Sequence, residues 1–249
     1  ETELETELET ELETYTVVTG GARGVTAQCL IALTQHEPHH SLILIGRTPH
    51  PNTAHKDDLL KTSSAADEPA LRSMIARAEP QLSIKELGSR ARLAWAQFEI
   101  ESTLNKLKKN SKQCIYLSLD ISHSPSNGLI EKLRGQGINP SQVHTVIHAA
   151  GLIDDRRLVA KSMESFKRVL SPKVDGLETL IHTLPNVMYW MFFSSVSSAL
   201  GNIGQTDYAA ANATLDSIAE VINQRSRAAE EGSSLADSSL ASSIASKLP

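Results

Sequence analysis

A chain of 249 residues, 40% hydrophobic and 4% aromatic, is long enough for one large domain with a proper core or for two small ones, and its makeup is that of a soluble α/β protein rather than a membrane or fibrous one. The formal net charge of −5 is concentrated at the start: ETELETELETELET holds seven glutamates and no base, and the remainder stands near +2, without the basic face that nucleic acid demands. No apolar run approaches the ~20 residues of a membrane span, and no basic-then-apolar leader opens the sequence, so a cytosolic protein with neither membrane nor nucleic-acid partner is expected.

Residues 1–14 read as an acidic low-complexity linker. YTVVTG (15–20) is a β-rich run ending in glycines, and VTAQCLIALTQH (25–36) has helical apolar spacing. SLILIGRT (41–48) is the next buried strand. The roughly sixty residues before QCIYLSLD (113–120) are too many for bare loop, so a helical insertion is predicted over about 50–112, with segments near 56–62, 68–79 and 83–109. A helix near 125–136, the strand VHTVIHAAG (143–151), a helix near 162–183, the strand VMYWMFFSS (187–195) and a helix near 206–229 follow. Strands alternating with helices predict an α/β fold, a Rossmann-type doubly wound parallel sheet with right-handed crossovers, carried by residues 15–229. Residues 230–249 are a Ser-rich tail, expected to be mobile. Cys29 lies in a predicted helix and Cys114 enters a predicted strand; two buried thiols are expected rather than a disulfide, and no metal site.

TGGARGVTA (19–27) joins the first strand to the first helix, the context that makes a glycine motif informative. Gly20 and Gly21 allow close backbone approach, and the helix N-terminus offers free N–H groups to a pyrophosphate. Ala22, Arg23, Gly24 and Val25 complete the candidate turn, while Thr26 stands where the spacing calls for a third glycine. An ordinary strand-to-helix turn is the alternative. Arg47, followed by Thr48, ends the second strand, where dinucleotide folds meet the adenosine ribose; an arginine there favours the 2′-phosphate of NADP, unless it is a solvated surface charge. Asp120, next to Ile121, closes the third strand and either caps the next helix or meets the adenine.

Tyr208 and Asn212 lie one helical turn apart. A phenol with a pKa of about 10 holds its proton too tightly for exchange at neutral pH, so a positive charge nearby is needed. Ser195 precedes Tyr208 by thirteen residues, at the end of the fifth strand, where its hydroxyl can donate to a ketone oxygen, and alternation turns Ser194 to the other face.

Taken together, TGGARG, GRT, LDI, HAAGLIDD, SPKVDG and FFSSVSSALGNIGQTDYAAAN resemble the motif series of short-chain dehydrogenases, and specifically of β-ketoacyl reductase (ketoreductase) domains of polyketide synthases, over about residues 15–219. The glycine turn with its long insertion looks most like the reductases of polyunsaturated-fatty-acid synthases. The resemblance implies a short-chain dehydrogenase fold, NADPH as cofactor, and Lys173 as the lysine that has exchanged places with Asn212 in this family. It implies a catalytic set of Lys173, Ser195, Tyr208 and Asn212, with Lys173 and Tyr208 also meeting the cofactor and Ala149, Ala150 and Gly151 lining its site. The implied reaction reduces a β-ketoacyl thioester on an acyl carrier protein, in polyketide or fatty acid biosynthesis, among neighbouring synthase domains. Ile153, Asp154 and Asp155 resemble the Leu-Asp-Asp signature of reductases giving D-configured hydroxyls, and Leu200 replaces the tryptophan that marks the opposite class; helix capping is the alternative role for Asp154. The later strand and lid of the family have no counterpart in the sequence, so one sheet edge is expected to be open. An inactive structural or docking segment of a synthase, and a free-standing short-chain carbonyl reductase, are the rival readings.

Overall fold

A computed structural model describes residues 13–38, 40–50, 62–123 and 126–230. The acidic opening (1–12), the tail (231–249) and all but the last residue of the helix expected near 56–62 lie outside the described residues. Five strands, β1 (Tyr15–Thr19), β2 (Ser41–Gly46), β3 (Gln113–Ser118), β4 (Val143–His148) and β5 (Tyr189–Phe192), form one sheet in the order β3-β2-β1-β4-β5. Every pairing is parallel. The order doubles back at β1, so the connections leaving β1 and β4 pass to opposite faces of the sheet and leave a crevice at the C-terminal ends of these strands, where such sheets bind ligands.

Helices pack on both faces of the sheet, and strand alternation sorts the side chains of its inner strands between two cores. Val17, Ile43, Ile45 and Val146 pack with Leu129 and Leu133 of α4 (Ser126–Arg134) and Leu180 of α6 (Val174–Thr183). Val18, Leu42, Leu44 and Ile147 pack on the opposite face with Leu30 of α1 (Gly24–His36) and Ile100, Leu104 and Leu107 of α3 (Ile84–Leu107). A register shift between Tyr15 and Thr16 skips His144, which is how Val143 and Val146, three residues apart, reach the same core.

The insertion contains two described helices. Asp67 caps α2 (Glu68–Ala78) by accepting from the Ala70 amide at 2.7 Å, and Ser83 with Glu86 forms a capping box at the start of α3. The N-terminal half of α3 shares a separate small core with α2, built on Leu71, Ile75, Ala91 and Ala94. Its C-terminal half is the crossover helix over the main sheet.

Three expectations need correction. The helix predicted at 162–183 is two helices, α5 (Met163–Leu170) and α6, because Pro172 lacks an N–H and its ring clashes with the preceding turn. The strand predicted at 187–195 keeps only Tyr189–Phe192: β4, its one neighbour among the described residues, ends at His148, and the chain then leaves the sheet for α7 (Ser197–Leu200) and α8 (Thr206–Glu230). Cys114 is buried but Cys29 is exposed. The buried stripe of α1 runs through Thr26, Ala27, Leu30 and Thr34, and position 29 falls outside it. The outer edge of β5 has no strand partner among the described residues, and Tyr189 and Met191, alternating with Trp190 and Phe192, are exposed on one face of the strand.

Candidate active site

Backbone geometry dictates the glycine turn. Gly20 has φ +70°, and a Cβ there would stand 2.7 Å from the Ala149 carbonyl oxygen. Gly24 also has positive φ but opens onto free space. No side chain caps α1 and no acid occupies its first turn, so its leading N–H groups are left without a side-chain partner. Thr26, at the third-glycine position, is a buried packing residue, as is Ala22, whereas Val25 is exposed. Arg23 is held by Glu99 of α3, with Nε to Oε2 at 2.6 Å. Residue spacing gave no sign of that partner, seventy-six positions away.

The crevice is lined by Thr19, Gly20, Gly46, Arg47, Asp120 and Gly151. A Cβ at Gly46 would meet the Tyr116 hydroxyl at 2.8 Å, and that hydroxyl donates to the Thr48 carbonyl at 2.8 Å. Arg47 is half exposed, with its guanidinium 4.0 Å from Asp120. Burial pushes the Asp120 carboxyl up, but hydrogen bonds from Ser122 and the Arg47 charge together outweigh it and hold the group below the usual range. Asp120 thus closes a local turn through Ser122; Ile121 is buried in the core. Uncapped helix N–H groups, the glycine turn and the Arg47 guanidinium fit a phosphorylated dinucleotide.

Beneath the crevice, the Thr19 hydroxyl accepts from the Ala149 and Ala150 amides at 3.2 and 3.1 Å and lies 2.7 Å from His148 Nδ1. His148 Nε2 is 2.9 Å from the Lys173 carbonyl. A carbonyl only accepts, so the ring proton sits on Nε2, and Nδ1 accepts from Thr19. Burial pushes the imidazole pKa down to about 4, the bond to Lys173 opposing and the Lys173 charge adding to it, and the ring is neutral at pH 7. The sequence offered no signal for this residue beyond a histidine at the end of an apolar strand.

Lys173 arrives from the Pro172 break as the residue preceding α6. The residue is 3% exposed, its Nζ donates to the Phe193 carbonyl at 2.7 Å, and its Cε would stand 3.4 Å from a Cβ on Gly151. Burial lowers its pKa to about 8, with Asp216 pulling the other way. Two residues past Phe193, Ser195 Oγ accepts from the Ser197 amide at 3.2 Å and lies 3.0 Å from the Ser197 hydroxyl. With both filled by Ser197 as donor, the Ser195 proton is left free to donate. Ser194 is exposed.

Tyr208 lies half buried in the first turns of α8, and its hydroxyl makes no hydrogen bond among the described residues. Asn212 Nδ2 donates to the Tyr208 carbonyl at 2.7 Å, while its Oδ1 is buried without a partner. An orphaned acceptor beside the tyrosine is a seat for a water or a bound hydroxyl. The structure thus joins Asn212 to Tyr208 and brings Lys173 to the segment carrying Ser195; no hydrogen bond links Lys173, Ser195 and Tyr208 directly.

Asp154 does not cap a helix, since Ser162 caps α5. It accepts from Ser165 Oγ at 2.8 Å, from Arg156 Nε at 3.0 Å and from Arg168, and these bonds, led by Ser165 and opposed by partial burial, bring its carboxyl to about 2. Asp155 accepts from Gln205 at 3.2 Å, and Ile153 is exposed. Lys161 and Asp207, which residue spacing did not single out, form a buried ion pair at 2.5 Å. The only signal was that Asp207 adjoins Tyr208.

A doubly wound parallel sheet with a glycine turn at its crevice, and a buried lysine that meets the chain just past β5, two residues from a serine, has the short-chain dehydrogenase type of fold, which implies a nicotinamide cofactor. The family model of the KR domain matches residues 14–241, and the chain belongs to that family, whose chemistry is ketoacyl reduction. It is 28% identical over 209 residues to a polyunsaturated fatty acid synthase component from Thraustochytrium sp., covering 81% of this chain and 7% of that protein. It is 34% identical over 125 residues to polyketide synthase PksN of Bacillus subtilis, covering 49% of this chain and 2% of that one. Mellein synthase of Phaeosphaeria nodorum is 31% identical over 144 residues, 55% of this chain and 8% of that one. The chain therefore spans less than a tenth of the length of these relatives. Among solved structures, a ketoreductase from the first module of phoslactomycin biosynthesis in Streptomyces sp. shares the fold with a TM-score of 0.59 at 21% identity, over 86% of this chain and 39% of that one. A ketoreductase domain from the bacillaene assembly line does so with 0.56 at 24% identity, over 88% and 41%. No helix among the described residues is long and apolar enough to cross a membrane.

Proposed function

We propose that this chain reduces a β-ketoacyl thioester, presented on an acyl carrier protein by neighbouring synthase domains, to a β-hydroxyacyl thioester of D configuration, with NADPH as reductant. The observation that carries the reading is the delivery of a buried amine, Lys173, to the carbonyl end of β5 two residues from Ser195, with Asn212 bonded to Tyr208 on the helix that follows. The uncapped helix N–H groups of α1 would take the pyrophosphate, and Arg47 the 2′-phosphate. The nicotinamide supplies the hydride. The unshared Ser195 proton and the Tyr208 phenol hold the ketone oxygen, and Tyr208 passes its proton to the developing alkoxide. Lys173, as an ammonium, favours the phenolate that remains, and the vacant Asn212 Oδ1 seats a water through which the phenol regains its proton. Donors already aimed at the nascent oxyanion account for the larger part of the expected rate gain. Asp154, fixed by Ser165 and Arg168, sets the loop that selects the ketone face.

NADPH oxidation followed with a 3-oxoacyl thioester tests this. Turnover is expected with NADPH in preference to NADH, to fall ~10²- to 10⁴-fold in Tyr208→Phe, and to yield the D alcohol. No thioester-dependent oxidation of NADPH favours an inactive scaffold, and equal turnover of simple ketones favours a free-standing carbonyl reductase.

A further inference from the structure

The loop after β4 and the N-terminus of α8 are joined through one buried charge. Lys161 follows a turn of 3-10 helix at Leu158–Ala160. Its side chain is 2% exposed and that of Asp207 1%. The ammonium donates to the Asp154 carbonyl at 2.8 Å and to Asp207 Oδ2 at 2.5 Å. The other Asp207 oxygen accepts from the Tyr208 amide at 2.9 Å. One cation therefore holds the loop backbone with one proton and, through a single carboxylate, the backbone of the tyrosine with another. Two further bonds cross the same gap, from the Arg156 amide to the Gly204 carbonyl at 3.0 Å and from Gln205 to Asp155 at 3.2 Å.

A buried pair of this kind is a weak device for stability, because desolvating both charges offsets most of their attraction; fixing one geometry against others is its better-attested use. Both charges here terminate on backbone groups of the two segments that the reduction depends on. We propose that Lys161 is a positioning residue, clamping the Ile153–Asp155 loop to the first turn of the tyrosine helix so that the loop and the Tyr208 hydroxyl keep a fixed relation, and that this clamp helps determine both turnover and the configuration of the alcohol. The catalytic part of the inference rests on the ketoreductase reading above; the mechanical part does not.

Lys161→Met and Lys161→Met/Asp207→Leu separate positioning from stability, since the double variant removes the carboxylate that the single one leaves buried and unpaired. The expected result is a double variant that melts at or above the single one, yet keeps a kcat lowered ~10-fold or more, an NADPH KM near that of the unaltered chain and an eroded ratio of alcohol isomers. In parallel, amide hydrogen exchange on the chain without ligands should rise together in 152–157 and 204–210 in both variants, with 143–148 unchanged. Recovery of the original kcat and isomer ratio in the double variant overturns the proposal, as does exchange that rises in only one segment or in the sheet as well. If the unaltered chain does not turn over, the ketoreductase reading falls, and the exchange pattern still decides the clamp.

Discussion

In the proposed reduction, one side chain, Lys173, carries the pH dependence. Its amine is buried against Gly151 and the Phe193 carbonyl, and the loss of water around it brings its pKa to about 8. Below that pH the ammonium is present and can favour the ionised phenol; above it the charge is lost. The expected profile of kcat/KM therefore falls on the alkaline side near pH 8. In Lys173→Met the rate should be roughly 10²-fold lower, with no such fall, as steady-state rates between pH 6 and 9.5 will show. The one-turn relation of Tyr208 and Asn212 could be read from spacing because one helix, α8, carries both, whereas Ser195 lies past the end of β5 rather than within it. The partners of Arg23 and Asp207 could not, since Glu99 and Lys161 are brought to them from 76 and 46 residues away by packing.

At the scale of elements, the break at Pro172 is what converts one amphipathic run into two helices and places Lys173 at the start of the second. The proline was visible in the sequence; the apolar spacing on either side continued through it, which is why a single helix was expected. The long α3 serves two cores. Ile100 belongs to the sheet core and Ile75 to the small core shared by α2 and α3. Truncating either buried side chain to alanine should cost about 2–5 kcal/mol of local packing. Ile100→Ala is expected to lower the global unfolding midpoint. Ile75→Ala should open α2 alone, seen as faster amide exchange over 68–78 with the exchange of β1 and β4 amides unchanged. Loss of protection across the sheet in Ile75→Ala would show that the two cores unfold as one.

Across the whole molecule, the hydrogen-bond chain from Thr19 through His148 to Lys173 ties β1, β4 and the start of α6 together beneath the crevice. Because the folded-state pKa of His148 is near 4 and the unfolded value is 6.5, both states are neutral above pH 6.5 and nothing is lost there. Between pH 6.5 and 4 the unfolded chain binds a proton that the folded chain refuses, so stability should fall by up to about 3 kcal/mol from this group and level off below pH 4. Denaturant midpoints at pH 7 and 4.5 measure it, and His148→Asn, which keeps a donor without a titrating ring, should show a smaller decline. A His148 imidazole resonance titrating near 6.5 in the folded chain would contradict the neutral, buried assignment.

What the amino-acid sequence determined by itself was the alternation of strands and helices, the glycine turn and the spacing of Ser195, Tyr208 and Asn212, because each of these is written in local periodicity and in backbone demands such as the positive φ of Gly20. Only the tertiary structure decided which charges meet and which faces are covered. It left Cys29 and Met191 exposed, buried Lys161 against Asp207, and neutralised His148, since burial and pairing depend on segments distant in the chain whose approach no local pattern records.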